Sequence, residues 1–83
     1  MFIISKKQVS KLLIYRLQGK IEISDELLNN FYKLSAGQIT LNSTDKRKIK
    51  TLLNQVKVDL DRQNFSGANE HLGKCEKFFC KVL

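Results

Sequence analysis

The chain contains no proline and no tryptophan, and it has only four glycines and two cysteines among 83 residues. The absence of proline favours helices, because proline removes a backbone donor and clashes with the preceding helical turn. Two cysteines do not make a disulfide framework, and no Cys-x-x-Cys pair is present. We therefore expect a helical protein from a reducing environment.

Acidic residues are also scarce, with eight Asp and Glu against fifteen Lys and Arg and a formal charge of +7. Such an excess favours a partner that is negatively charged, although a lysine-rich composition alone produces the same charge. Twelve of the fifteen cations are lysine, which favours diffuse surface charge over bidentate base recognition. Any nucleic acid is therefore expected to be contacted through its phosphates.

Long hydrophobic runs are missing. The apolar run near the N-terminus covers only residues 2–4, which is too short for the core of a signal peptide. No window approaches the roughly 20 apolar residues that span a bilayer. These observations predict a cytoplasmic protein that does not bind membranes.

Four helices are predicted from periodicity and end signals. The longest covers the stretch from Ser43 to Asn64, and its apolar residues recur with the helical period: Ile49, Leu52, Leu53, Val56 and Leu60. The first two helices have Ser5 and Ser24 as N-caps and Gly19 and Gly37 as left-handed stops. The apolar stripe of the first helix is predicted to consist of Val9, Leu12, Leu13 and Leu17. Arg16 lies near the middle of this stripe, so it must snorkel or pair if this face is buried.

The fourth helix follows a short connection in which Asn64 is predicted to be a left-handed C-cap and Ser66 an N-cap. A connection this short forces the third and fourth helices to be antiparallel. The predicted core stripe of the fourth helix consists of Ala68, Leu72, Cys75, Phe79 and Val82. The expected fold is all-α, a single domain over residues 1–83. It is a small four-helix bundle with helices 3 and 4 as a long antiparallel hairpin.

Soft metal ligands are limited to His71, Cys75 and Cys80. The first two are four residues apart on one helical face, whereas Cys80 lies about 140° from Cys75 and cannot join them. We expect neither a metal nor another cofactor.

Catalytic constellations are absent as well. Asp59 and Asp61 fit a solvated helix face, and Glu70, the one carboxylate beside His71 in sequence, faces another direction. No glycine-rich phosphate loop or zinc-protease motif occurs. The chain is predicted not to be an enzyme and not to take a small-molecule substrate.

Basic residues of the third helix are the better lead. Arg47, Lys50, Asn54 and Lys57 recur at spacings of three, four and three, with Lys46 alongside. Cations at a helix N-terminus oppose the helix dipole, so stability alone does not favour them there. This face is our candidate site for a polyanion or an acidic partner.

Several apolar residues do not fit the core stripes of their own helices, and Tyr15, Val58 and Phe78 form our candidate apolar interface. The alternative is that helices in the middle of the bundle bury two faces. Together these features predict a small interaction module (an adaptor, inhibitor or regulator) that binds a protein partner or a second copy of itself. The alternative is a nucleic-acid-binding protein that uses the basic face of the third helix.

Overall fold

The computed structural model describes residues 4–82 and folds them into four α-helices, with no strand in that range. The helices are α1 (Lys6–Leu17), α2 (Asp25–Ser35), α3 (Ser43–Asp61) and α4 (Phe65–Val82). Helices α3 and α4 pack as an antiparallel hairpin, α2 packs on α4, and α1 packs on α2. The predicted all-α bundle with a long hairpin is therefore confirmed.

The prediction about a signal peptide concerns residues that lie, apart from Ile4, outside the described range. Within residues 4–82, no helix is both long enough and apolar enough to cross a bilayer.

Polar side chains cap the helices at their N-termini. Ser5 and Gln8 form a capping box, in which each side chain bonds to the other residue's backbone N–H, at 3.3 Å and 3.2 Å. The Ser24 hydroxyl accepts from the Leu27 N–H, and Asn42 caps α3 in the same way. These caps satisfy backbone donors that have no partner within the helix.

Three helices end in the same left-handed turn. Gly19, Gly37 and Gln63 have φ angles of 68°, 76° and 59°. In each turn the following N–H bonds to a carbonyl five residues earlier, the Schellman pattern.

The predicted left-handed Asn64 was wrong, and so was the predicted N-cap Ser66. Asn64 caps α4 through its side chain, which accepts from the Gly67 N–H, so the left-handed residue must be the one before it.

The core lies between the hairpin and α2. Phe31 of α2 meets Phe79 of α4 edge-on, with ring centroids 5.4 Å apart. The buried apolar residues of the hairpin belong to the predicted stripes: Ile49, Leu53, Val56 and Leu60 of α3, and Ala68, Leu72, Cys75 and Phe79 of α4. Two predicted members differ, because Leu52 is half-buried and Val82 is exposed.

Helix α1 differs from the expected stripe at its end. Leu17 was expected to face the core but is 79% exposed. It follows the buried Leu12 by five residues, a rotation of about 140° on a helix, so both cannot face inward. Arg16 was expected to need a partner near the core, and it forms an ion pair with Asp25.

Replacing Gln63 with glycine should stabilise the protein. A left-handed conformation costs a residue with a side chain about 1 kcal/mol, and glycine removes most of that cost. We expect Gln63→Gly to raise the free energy of unfolding by about 0.5–1 kcal/mol, measured by urea denaturation.

The matched control is Gln55→Gly, the same chemical change at an exposed position within α3. Because glycine is unfavourable inside a helix, this variant should lose about 1 kcal/mol. A loss of stability in Gln63→Gly would show that the left-handed conformation of Gln63 is not strained.

Candidate partner-binding groove

A shallow, open groove runs between the N-terminal part of α3 and the C-terminal part of α4, which meet because the two helices are antiparallel. Leu52 and Phe78 form its apolar floor, and Thr51 lies beside them. Both floor residues are half-buried, and Phe78 packs edge-on against the fully buried Phe79, with ring centroids 6.4 Å apart. The floor is thus a supported apolar surface that solvent reaches.

Five cations rim this floor from both sides: Arg47 and Lys48 of α3, and Lys74, Lys77 and Lys81 of α4. The three lysines of α4 follow one another at spacings of three and four, which places them on one face of the helix. We call this set of five cations, with Thr51 and the floor residues Leu52 and Phe78, the basic groove.

Within residues 4–82, no carboxylate lies close enough to form an ion pair with any of these five cations. The ion pairs of the described chain lie elsewhere: Lys11 with Asp61, Arg16 with Asp25, and His71 with Asp59. Neighbouring like charges on a helix destabilise it by a few tenths of a kcal/mol per pair. The basic groove therefore carries a concentrated positive charge that folding alone does not favour.

The predicted basic face of α3 is divided by the packing of the bundle. Arg47 lies at the basic groove, whereas Lys57 lines a second groove, between α1 and α3, together with Lys7 and Lys11. Of the other predicted residues, Lys50 and Asn54 are exposed and Lys46 is half-buried. The structure thus brings Arg47 next to lysines of α4.

Four of the five cations were not among the predicted site residues: Lys48 of α3, and Lys74, Lys77 and Lys81 of α4. A signal for those of α4 was present in the sequence. The spacing of Lys74, Lys77 and Lys81 marks one face, and the predicted hairpin places the end of α4 beside the start of α3.

The three residues of the predicted apolar interface lie in different places. Phe78 is in the floor of the basic groove, and Val58 is exposed on α3. Tyr15 is half-buried against Phe65, with ring centroids 6.5 Å apart and the Lys20 ammonium within 6 Å of both centroids. Phe65 and Phe78 are separated by about 20 Å of helix, so Tyr15 and Phe78 belong to different surfaces.

A partly buried polar pair joins α3 to α4 near the turn of the hairpin. The Asp59 carboxylate and the His71 ring are in hydrogen-bond contact, with Oδ2 and Nδ1 2.7 Å apart. Asp59 was expected on a solvated face, but it is only 9% exposed, so that prediction was wrong. The sequence shows only Glu70 next to His71, whereas the carboxylate that contacts His71 in the structure is that of Asp59. The pair satisfies a buried carboxylate and ties the two helices together.

Cys75 lies one helical turn beyond His71, but its thiol is not a nucleophile that this pair activates. Cys75 is fully buried, and burial raises the pKa of its thiol to about 12, so the thiol is protonated at neutral pH. Among residues 4–82, no group of three or more His, Cys, Asp or Glu side chains could hold a metal ion. We therefore interpret Asp59 and His71 as a structural pair.

Removing one member of this pair should be costly. We expect His71→Leu to lower the free energy of unfolding by about 1–3 kcal/mol, because it leaves the buried Asp59 carboxylate without its partner. In an Asp59→Leu background the same change should cost much less, and urea denaturation of all four proteins measures the coupling. If the losses in free energy of unfolding of the two single variants simply add in the double variant, Asp59 and His71 do not interact directly.

The two thiols should differ sharply in reactivity, because Cys80 is exposed and Cys75 is buried. In the folded protein only Cys80 should react quickly with a colorimetric disulfide reagent, and in concentrated urea both thiols should react. Cys80→Ser should remove the fast reaction and leave the slow one. Fast modification of both thiols in the folded state would show that α4 is not packed as described.

No protein-family model matches this chain, and no curated protein or solved structure matches it either. A function is therefore inferred from the chemistry of the chain's own residues.

Proposed function

We propose that this protein is a small non-enzymatic interaction module, an adaptor, inhibitor or regulator, that binds an acidic region of a protein partner through the basic groove. The observation that carries this proposal is the combination of five cations without ion-pair partners in the described chain and an apolar floor between them. Charge complementarity then accelerates association and selects acidic partners, while burial of the floor supplies affinity.

The apolar floor favours a protein partner over a nucleic acid. Leu52 and Phe78 form an apolar floor between the cations of α3 and those of α4. Interfaces between proteins have an apolar centre and a polar rim, with aromatic residues enriched at the centre. A nucleic-acid duplex contacted through its phosphates offers no apolar group to bury against such a floor.

Nucleic acid remains the second candidate, on the exposed side of α3. Lys50, Asn54 and Lys57 are all solvent-exposed there, outside the basic groove. Lysines along one helix suit contacts to phosphates that are independent of base sequence. The two candidates therefore use different residues and can be tested separately.

A cytoplasmic location is part of the proposal. It is supported by two free cysteines, one of them exposed, since such thiols persist where the environment is reducing.

The test compares two double variants with the same change of charge. Lys74→Glu with Lys77→Glu alters the basic groove, whereas Lys50→Glu with Lys57→Glu alters the exposed side of α3. Each pair lowers the formal charge from +7 to +3, since every Lys→Glu change removes two units. The groove variant alone should lose a stoichiometric protein partner in affinity capture followed by mass spectrometry. Loss of the partner from both variants would show that only net charge matters.

Fluorescence anisotropy with labelled DNA and RNA provides the second arm of this test. Binding that weakens with salt along a log–log slope of about −3 or steeper, and is lost in Lys50→Glu with Lys57→Glu, would establish the nucleic-acid candidate. If the protein instead captures an acidic partner and does not bind nucleic acid at low salt, the proposed function stands.

A further inference from the structure

We infer that the segment bound in the basic groove is an amphipathic α-helix of the partner, with an apolar face against Leu52 and Phe78 and carboxylates along both flanks. This inference rests on the proposed function, because it specifies the kind of partner segment that the basic groove accepts.

The walls of the groove offer side chains rather than free backbone groups. Both walls are helices, and the residues that line the groove have their backbone groups bonded within α3 or α4, apart from the carbonyl of Lys81 in the last turn of α4. An extended segment would therefore find no strand edge to pair with. Its backbone N–H and C=O groups facing the apolar floor would lose their bonds to water without replacement. A bound helix satisfies its own backbone and avoids that cost.

Positive charge lies on both sides of the apolar floor. Arg47 and Lys48 project from α3 on one side, and the α4 lysines lie on the other. A bound segment must then present apolar groups in the middle and negative charge to the left and right of them. A helix does this when apolar residues recur at three and four residues and acidic residues border that stripe.

The length of the row of cations determines how much of the partner's helix contacts the basic groove. Lys74 and Lys81 are seven residues apart, which is about 10 Å, or two helical turns. The bound helix therefore needs apolar residues over about two turns, in the pattern i, i+3 or i+4, and i+7.

A second copy of this chain is a poor occupant of the basic groove. Each copy has a formal charge of +7, so two copies repel each other before any contact forms. The charge of the groove instead selects a segment from a different, acidic protein.

The experiment uses two labelled peptides of identical composition, each of about 16 residues, made of leucine and glutamate with blocked ends. In the first, leucine follows the helical period, so the peptide has an apolar stripe with glutamates on both flanks. In the second, leucine and glutamate alternate, so an apolar face exists only in an extended chain. Both carry the same charge, and therefore only the pattern differs.

Anisotropy titrations of the 83-residue protein should show the helical-pattern peptide binding at least about tenfold more tightly than its alternating isomer, a difference of about 1.4 kcal/mol. Lys74→Glu with Lys77→Glu should weaken binding of the helical peptide about tenfold, and Arg47→Glu with Lys48→Glu should do the same from the other side. The control pair, Lys50→Glu with Lys57→Glu, should change it less than about threefold. Circular dichroism should show all variants to be folded, because every changed residue lies at the surface.

Three results would overturn the inference. Equal binding of the two peptides, still dependent on Lys74 and Lys77, would show an acidic-segment site with no preference for a helix, and the proposed function would survive. Sensitivity to the α4 lysines but not to Arg47 and Lys48 would show that the bound segment does not lie between two charged rows. Binding of neither peptide, or binding that no groove variant alters, would remove the basic groove from the proposed function as well.

Discussion

The packing of α4 against α3 is the interaction on which the other features depend. The turn between these helices consists of only three residues, Arg62 to Asn64, so the helices must return alongside each other. Their apolar stripes then face one another, and the polar residues that flank those stripes are brought together. The pairing of Asp59 with His71 lies near the turn, and the basic groove lies toward the open end of the hairpin. One packing arrangement therefore stabilises the fold and also assembles the candidate site.

The sequence was sufficient for features that depend on neighbouring residues. Capping residues, the glycine stops and the apolar stripes all act within one or two turns, and they predicted the four helices and the hairpin. Gln63 was missed because Asn64 serves as the N-cap of the next helix, which leaves the left-handed position to Gln63. Residue propensities do not decide which of these two roles Asn64 takes. The burial of Asp59 was missed for a related reason, since its partner His71 lies twelve residues away across the turn.

The candidate site was only partly predictable. Arg47 was identified because one helix shows it as part of a periodic row, but the neighbours that complete the basic groove come from α4. Which lysines share a surface depends on how the two helices are rotated about their axes. Half-buried residues such as Leu52 and Phe78 reveal that rotation, but only in the packed structure. A charged face read from a single helix therefore indicates the chemistry of a site better than it indicates the site's boundaries.

The crowding of like charges in the basic groove has a consequence for how the protein persists in a cell. The proposed acidic partner would neutralise those charges only in the folded state, and it would therefore shift the folding equilibrium toward that state by mass action. The free protein would then be the form that unfolds more often and is degraded sooner. Under the proposed function, the amount of this protein would follow the amount of its partner.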